Sequence, residues 1–406
     1  MTRSWILPLL LPIFAVAESP LELSHPGEPL LSMDAHSLGL GGSGEARWSV
    51  QTGLPSNPAL LAGLDGVTFS TVLQFRQARR DTMSGETWTE NRQDFPAFQF
   101  TLALPAGWRI GLGYRSMLRN RGSYALEGLL DDLPGDEDDW DGSYDLHLRQ
   151  EGGQGAFPLS LAWQARSDLR LGLAISLLRG NLLQEWEYRF PDSSGLYDRK
   201  VKRQADWHGT QIDLGAQFRL NSTIALSMLY RGGGDLTGTS LIEIAGQTDP
   251  EESSLEGRYP SSWSGGLSWA PSRKHIFSTS WEHTSWSDYE SPVLAEALYD
   301  VDRFSAGYEW KWIRPRKGLR PERLIPFRLG FRFGRFPGAE PILGGRVREL
   351  LYSFGTGFTV QDGKGSVDIA VFLQDLDAAG AASETRWGLA LSLRTSEKWK
   401  RRSLPY

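Results

Sequence analysis

Cysteine is absent from all 406 residues, so neither a disulfide framework nor a thiolate metal site holds this chain together, and no lipoprotein anchor can be built on it. No stretch approaches the roughly 18 consecutive apolar residues that a membrane-spanning helix needs. Positive charge is not in excess. The net charge is −6, which removes the electrostatic footprint of a nucleic-acid binder. Histidine is sparse and scattered, at His25, His36, His147, His208, His275 and His283, and neither H-E-x-x-H nor G-x-S-x-G occurs. No catalytic residue, metal site or cofactor is assigned, and the chain reads as a non-enzyme.

In place of these the chain carries 16 Trp, 12 Tyr and 18 Phe. It opens on "MTRSWILPLLLPIFAVAES", with Arg3 ahead of an apolar run from Trp5 to Val16 and an A-x-A signal at Ala15-Val16-Ala17. That order predicts a secretory signal peptide over 1–17, cut before Glu18.

Beyond the leader the hydrophobic period is two. In "WRIGLGYR", Trp108, Ile110, Leu112 and Tyr114 share one face and Arg109, Gly111, Gly113 and Arg115 the other. "LRLGLAISL" sets Leu169, Leu171, Leu173, Ile175 and Leu177 against Arg170, Gly172, Ala174 and Ser176. "QIDLGAQFRL", "FRLGFRF" and "WGLALSL" repeat the pattern. Strict alternation means strands with one apolar and one polar or small face. The segments run to about nine to eleven residues, the length a tilted strand needs to cross a bilayer, and their apolar faces end in aromatics. Short connections, such as Pro105-Ala106-Gly107 and Asn221-Ser222, alternate with long polar stretches at 79–93, 119–151, 191–206, 237–258, 288–299 and 337–347. Short periplasmic turns and long outer loops are the pattern of outer-membrane barrels. Counting from Gly66 predicts about fourteen antiparallel strands, an even number that lets the sheet close. The expected organisation is a hatch over 18–65, an all-β transmembrane barrel over 66–395, and a basic C-terminal extension over 396–406.

The hatch contains "GLGGSGEA", in which Gly39, Gly41 and Gly44 match the G-x-G-x-x-G spacing. A dinucleotide turn needs a strand before it and a helix opening at its third glycine, and neither pattern flanks this stretch. The glycines instead permit close backbone packing inside the barrel. Further on, Asn57 and Pro58 set a turn. "SLGLGGSGEA" followed by "SNPALLAGLDGVTFS" resembles the N-terminus of the FadL family of long-chain fatty-acid outer-membrane transporters, in which a glycine-containing hatch leads to an Asn-Pro-Ala turn and the first strand. Asn57, Pro58 and Ala59 match that motif. "IDLGAQFRLNSTIALSMLYRGGGDLTG" and "YPSSWSGGLSWAPSRKHIFSTSWEHTSWSDY" are similar to later hairpins of the family. The resemblance implies a plugged fourteen-stranded barrel that admits hydrophobic molecules and releases them sideways at a kinked strand. The stretches 119–151 and 191–206 depart from the apolar pair expected of a fatty-acid capture groove.

Polar-face arginines Arg109, Arg170, Arg219, Arg328 and Arg332 have two readings. They grip a ligand carboxylate in a bidentate fork, or they pair inside the lumen with Asp213, Glu309 and Asp368. The acidic stretch Asp131–Asp141 reads as a solvated outer loop, with calcium binding or divalent bridging to lipopolysaccharide as alternatives. The function expected is diffusive uptake of hydrophobic small molecules, such as long-chain fatty acids, across the bacterial outer membrane. The rival is an accessory barrel for secretion or surface assembly, since shuttle proteins of type IX secretion look similar. Connection parity puts 131–141 outside the cell and 314–323 in the periplasm. Cysteine placed at Asp136 should therefore be labelled by an impermeant maleimide on intact cells, and cysteine at Lys317 should not; the reverse pattern overturns the strand count.

Overall fold

A computed structural model of the chain describes residues 27–31, 33–48, 54, 56–81, 87–129, 143–191, 197–293, 298–314, 323–339, 346–360, 365–378 and 382–397. The leader 1–17, the acidic stretch Asp131–Asp141 and residues 398–406 of the C-terminal extension lie outside them.

The strands of the wall follow one another in chain order. They are β1 Val67–Asp81, β2 Thr87–Ala103, β3 Trp108–Leu129, β4 Ser143–Arg166, β5 Leu169–Arg189 and β6 Arg199–Arg219. Then come β7, in two halves (Ile224–Arg231 and Gly234–Ile244), and β8, also in two halves (Glu251–Tyr259 and Ser262–Trp269). The set ends with β9 His275–Thr284, β10 Val301–Arg314, β11 Arg323–Ala339, β12 Arg346–Val360, β13 Gly365–Ala378 and β14 Ala382–Glu397. Each pairs antiparallel with the next, and β14 returns to β1 in a continuous register from Ser383↔Asp81 to Glu397↔Val67. The result is a closed barrel of 14 strands. Closure joins the last strand to the first, so the sheet has no terminal edge strand, the condition for a sheet in lipid.

Alternation decides which way each strand faces. Trp108, Ile110 and Leu112 on β3, and Leu171, Leu173, Ile175 and Leu177 on β5, are exposed on the outside, while Gly111, Ala174 and Ser176 are turned inward. Outward aromatics gather at two levels. Near the short turns Trp108 stacks on Trp163 at 5.3 Å and Trp269 on Phe277 at 5.4 Å. Higher up, Tyr230 meets Trp263 at 4.3 Å and Phe331 meets Tyr352 at 5.4 Å. Such girdles bracket the apolar band of a membrane barrel.

The expected long loops are much shorter. β3 runs to Leu129 and β4 starts at Ser143, so 119–151 is mostly strand, and β6 takes in 199–206 of the expected loop 191–206. The strands are correspondingly long, 22 residues in β3 and 24 in β4. Above Leu177 the outward face of β5 turns polar at Arg179 and Asn181 while its inward face turns apolar at Leu178 and Leu182. The period of two persists, but the sides exchange character, and polar composition alone reads as loop. Ser396 and Glu397, placed by sequence in the C-terminal extension, pair with Thr68 and Val67 in the last strand.

The hatch lies inside. A two-residue strand, Glu28–Pro29, pairs with β3. Asp34 caps the four-residue helix α1, Ala35–Leu38, accepting from the Ser37 N–H at 2.8 Å. Turns at Gly44–Ala46 and Pro58–Gly63 complete the plug. Ala35, Leu38, Leu40, Ala46, Leu60, Leu61 and Leu64 are buried there. The wall gives way to the plug at glycine. A Cβ at Gly330 would overlap the Gly41 amide, one at Gly172 the Ala59 amide, and one at Gly307 would lie 2.8 Å from the Leu40 carbonyl. Replacing Gly330 by valine should unseat the plug at a cost of about 1–3 kcal/mol, the range for overpacking, while leaving the barrel closed. Planar bilayers should then record a larger single-channel conductance than for the wild type, with the heat-modifiable band of a folded barrel retained on gels; unchanged conductance refutes the fit.

Candidate functional site: a cavity above the hatch

Two buried ionic networks fix the plug to the wall. Arg47 of the hatch grips Glu309 of β10 with both guanidinium nitrogens, at 2.7 and 2.9 Å. Its Nη1 also donates to His36 Nε2 at 2.8 Å, so that ring nitrogen is the acceptor and the imidazole is neutral. Arg328 on β11 donates to Glu309 at 2.8 Å and to Asp368 of β13 at 2.7 Å. The second network places Glu28 of the hatch between Arg76 of β1, at 3.0 Å, and Arg386 of β14, at 2.5 Å. Breaking a buried pair from one side costs about 3–5 kcal/mol, because the remaining charge stays desolvated. Arg47→Met should therefore lower hydrogen-exchange protection of hatch amides 35–47 by roughly 100-fold or more. The double change Arg47→Met with Glu309→Leu should restore part of it. Additive loss in the double variant contradicts the pairing.

The hatch motif residues divide. Gly41, with φ at +66°, passes directly over Phe331, and Gly39 approaches the Gly355 Cα, where an added Cβ would sit at 3.0 Å. Gly44 begins a turn and has only ordinary neighbours, the nearest at 3.5 Å. Asn57 is fully buried. Its Oδ1 accepts from the Ala59 N–H at 3.0 Å and its Nδ2 donates to the Met228 carbonyl of β7 at 3.0 Å. Pro58 starts the following turn, where no intrahelical N–H is missed. Asn57 thus joins plug to wall as well as shaping its own turn.

The five sequence-selected arginines do not form one constellation. Arg328 pairs with two of the carboxylates named for it, as above. Arg109 donates to the Leu64 carbonyl at 2.6 Å. Arg170, 8% exposed, donates to Gln164 and Gln217, both at 2.9 Å, and lies 3.9 Å over the Trp48 ring, with Arg219 near the same ring at 5.0 Å. These three sit toward the short turns. Arg332 alone lines the main cavity, donating to Glu349 at 2.5 Å.

That cavity, of about 220 Å³, lies above the hatch. Met117, Leu229 and Trp286 supply apolar lining from within, and Phe98 and Tyr114, on the outward face of β2 and β3, border it at the wall. Among the charged lining residues, Arg115 and Arg231 share Asp213, at 3.1 and 3.4 Å, and Arg303 and Arg332 share Glu349, at 3.4 and 2.5 Å. Glu45 of the hatch also faces it, and burial, followed by the charge of Glu282, pushes its carboxyl up to about 7. Arg115, Arg231, Arg303 and Glu349 were not singled out by sequence. Arg115 stood on the polar face of "WRIGLGYR", but parity reports the side of the wall and not the depth in the lumen.

The cavity touches a seam. Pairing of β2 with β3 runs only from Ala103↔Arg109 to Ala97↔Arg115. Higher up, among the described residues, β2 is laddered to β1 and β3 to β4. Pro96 removes a donor just there, and a bulge in β1–β2 falls between Val72 and Gln74. The hatch strand covers the gap, with Glu28↔Arg119 and Pro29↔Leu118 in register and the Leu30 N–H on the Met117 carbonyl at 2.9 Å. Arg119 reaches across to Asp94 of β2 at 2.5 Å.

No family model and no curated relative matches the chain. Solved structures do. The toluene transporter TbuX of Ralstonia pickettii superposes at a TM-score of 0.57 with 14% identity, over 90% of this chain and 98% of that one. The toluene transporter TodX of Pseudomonas putida gives 0.58 and 17%, over 90% and 99%. A FadL homologue of Pseudomonas aeruginosa gives 0.59 and 14%, over 89% and 97%. At these identities the likeness is one of fold. The chain has the plugged-barrel fold of the FadL-type channels.

Proposed function

We propose that this protein is a passive channel of the bacterial outer membrane for compact hydrophobic molecules, which occupy the cavity above the hatch and leave sideways between β2 and β3. The observation that carries this reading is the seam. A cavity walled partly by Phe98, Tyr114 and Met117 abuts the one stretch of β2–β3 where the ladder stops, and the cover is a displaceable strand of the plug. A lateral exit of this kind delivers an apolar solute to lipid without crossing water. Two of the structurally similar channels are toluene transporters, which agrees with a small ligand. Size points the same way. About 220 Å³ lies below the roughly 300–1,000 Å³ usual for drug-sized ligands, which favours a compact molecule over an extended fatty acid.

Cells lacking other hydrocarbon channels should take up labelled toluene several-fold faster when they express the protein. With cysteines in place of Asp94 and Arg119, a short bis-methanethiosulfonate linker should return uptake to the level of the empty vector, and reductant should restore it. Uptake that persists through the linked seam would make the exit axial. Equal uptake with and without the protein would remove the channel reading and favour an accessory role in secretion.

A further inference from the structure

The largest buried apolar cluster in the described chain is not under the hatch. It stands at the opposite end of the lumen, where Leu118, Leu178, Leu182, Trp207, Leu236 and Leu255 point inward from β3, β5, β6, β7 and β8. A water-filled vestibule would not present this face uncovered. Its cover comes from the connection between β9 and β10, whose Trp286, Tyr289, Val293 and Leu298 belong to the same cluster. Tyr259 of β8 packs edge-on against Trp286 and Tyr289, at 5.9 and 6.3 Å.

The cover is attached first by the Ser285 N–H on the Ser261 carbonyl at 3.0 Å. Glu290 bridges Arg258 through two backbone hydrogen bonds, at 2.8 and 3.0 Å. The Ser287 N–H meets Asp300 at 2.9 Å and Arg203 meets the Val293 carbonyl at 3.1 Å. The Trp286 indole nitrogen, in a side chain only 3% exposed, has no acceptor among the described residues. The same Trp286 forms part of the ceiling of the cavity above the hatch.

We infer that the apolar inner wall is a binding site for compact apolar or aromatic molecules, and that residues 285–293 occupy it as a self-ligand which an incoming molecule displaces. The inference rests on the channel reading, for which it supplies the inlet. A solute arriving at the tall end exchanges for Trp286 and Tyr289 on the wall formed by Leu178, Leu182 and Trp207. The shift of Trp286 then opens the ceiling of the cavity. Opening and loading are one event, so an empty channel stays shut.

The test uses the chain's lack of cysteine. Arg258 and Glu290 form a hydrogen-bonded antiparallel pair, for which Cα atoms lie about 5.5 Å apart, within disulfide reach. The variant Arg258→Cys/Glu290→Cys, in outer-membrane vesicles, is photolabelled with 3-trifluoromethyl-3-phenyldiazirine, and labelled residues are mapped by mass spectrometry. Reduced protein should carry label on Leu178, Leu182 or Trp207. Oxidised protein should lose at least about tenfold of it, because locking removes the binding-competent population. Lipid-facing Leu171 to Leu177 should label equally in both states and serve as the internal standard. If the disulfide variant fails to fold, Trp286→Ala/Tyr289→Ala replaces it, and inward labelling should exceed that of the wild type. Equal inward labelling of locked and unlocked protein, no inward labelling in either, or no gain in the alanine variant overturns the inference. Inward labelling that responds to the lock, in a protein that takes up no toluene, leaves the site standing and removes the transport reading instead.

Discussion

Backbone hydrogen bonding is the constraint from which the other features follow. In lipid a sheet must close, because an unpaired strand edge has no water to turn to. Here β14 joins β1 along a full register, and the wall is continuous through the apolar band. Among the described residues, two of the places where the ladder lapses are covered by chain from elsewhere. Glu28–Pro29 of the hatch lies on β3 where β2 departs. Glu290 lies on β8 above the level at which β9 ends at Thr284. Both borrowed segments border the same cavity, through Pro29, Leu30 and Trp286.

The interior is organised by charge and by the absence of side chains. A plug with its own backbone polar groups cannot pack on a conventional core, so the wall meets it with glycines and serines. Ser392 accepts from the Ala35 N–H at 2.7 Å and Ser353 from the Gly41 N–H at 3.2 Å. Ionic networks at Glu309 and Glu28 then hold the plug at two points. Buried pairs of this sort contribute less to net stability than to position, since desolvation offsets much of their attraction. They fix the hatch in one register.

Period-two alternation was enough to assign the all-β class, the outward faces and nearly every short turn. It failed where the two faces exchange polarity. Leu177 and Leu178 are adjacent leucines on opposite sides of one strand, the first toward the outside and the second toward the lumen. Composition alone made expected loops of 119–151 and 191–206, much of which is strand. The arginines show a related limit. Parity put Arg109, Arg170, Arg219, Arg328 and Arg332 inside together with Arg115, but only register around the wall separates those near the short turns from those at the cavity.

What the sequence by itself determined was the all-β class, the side of the wall on which the residues of the alternating segments lie, and the even strand number. These follow from local geometry, since successive side chains of a strand must point to opposite faces. Only the tertiary structure decided which charges meet, where the ladder lapses and what covers it. Those outcomes depend on residues far apart in the chain, such as Glu28 with Arg386 or Arg47 with Glu309, brought together only when the sheet closes around its own N-terminus.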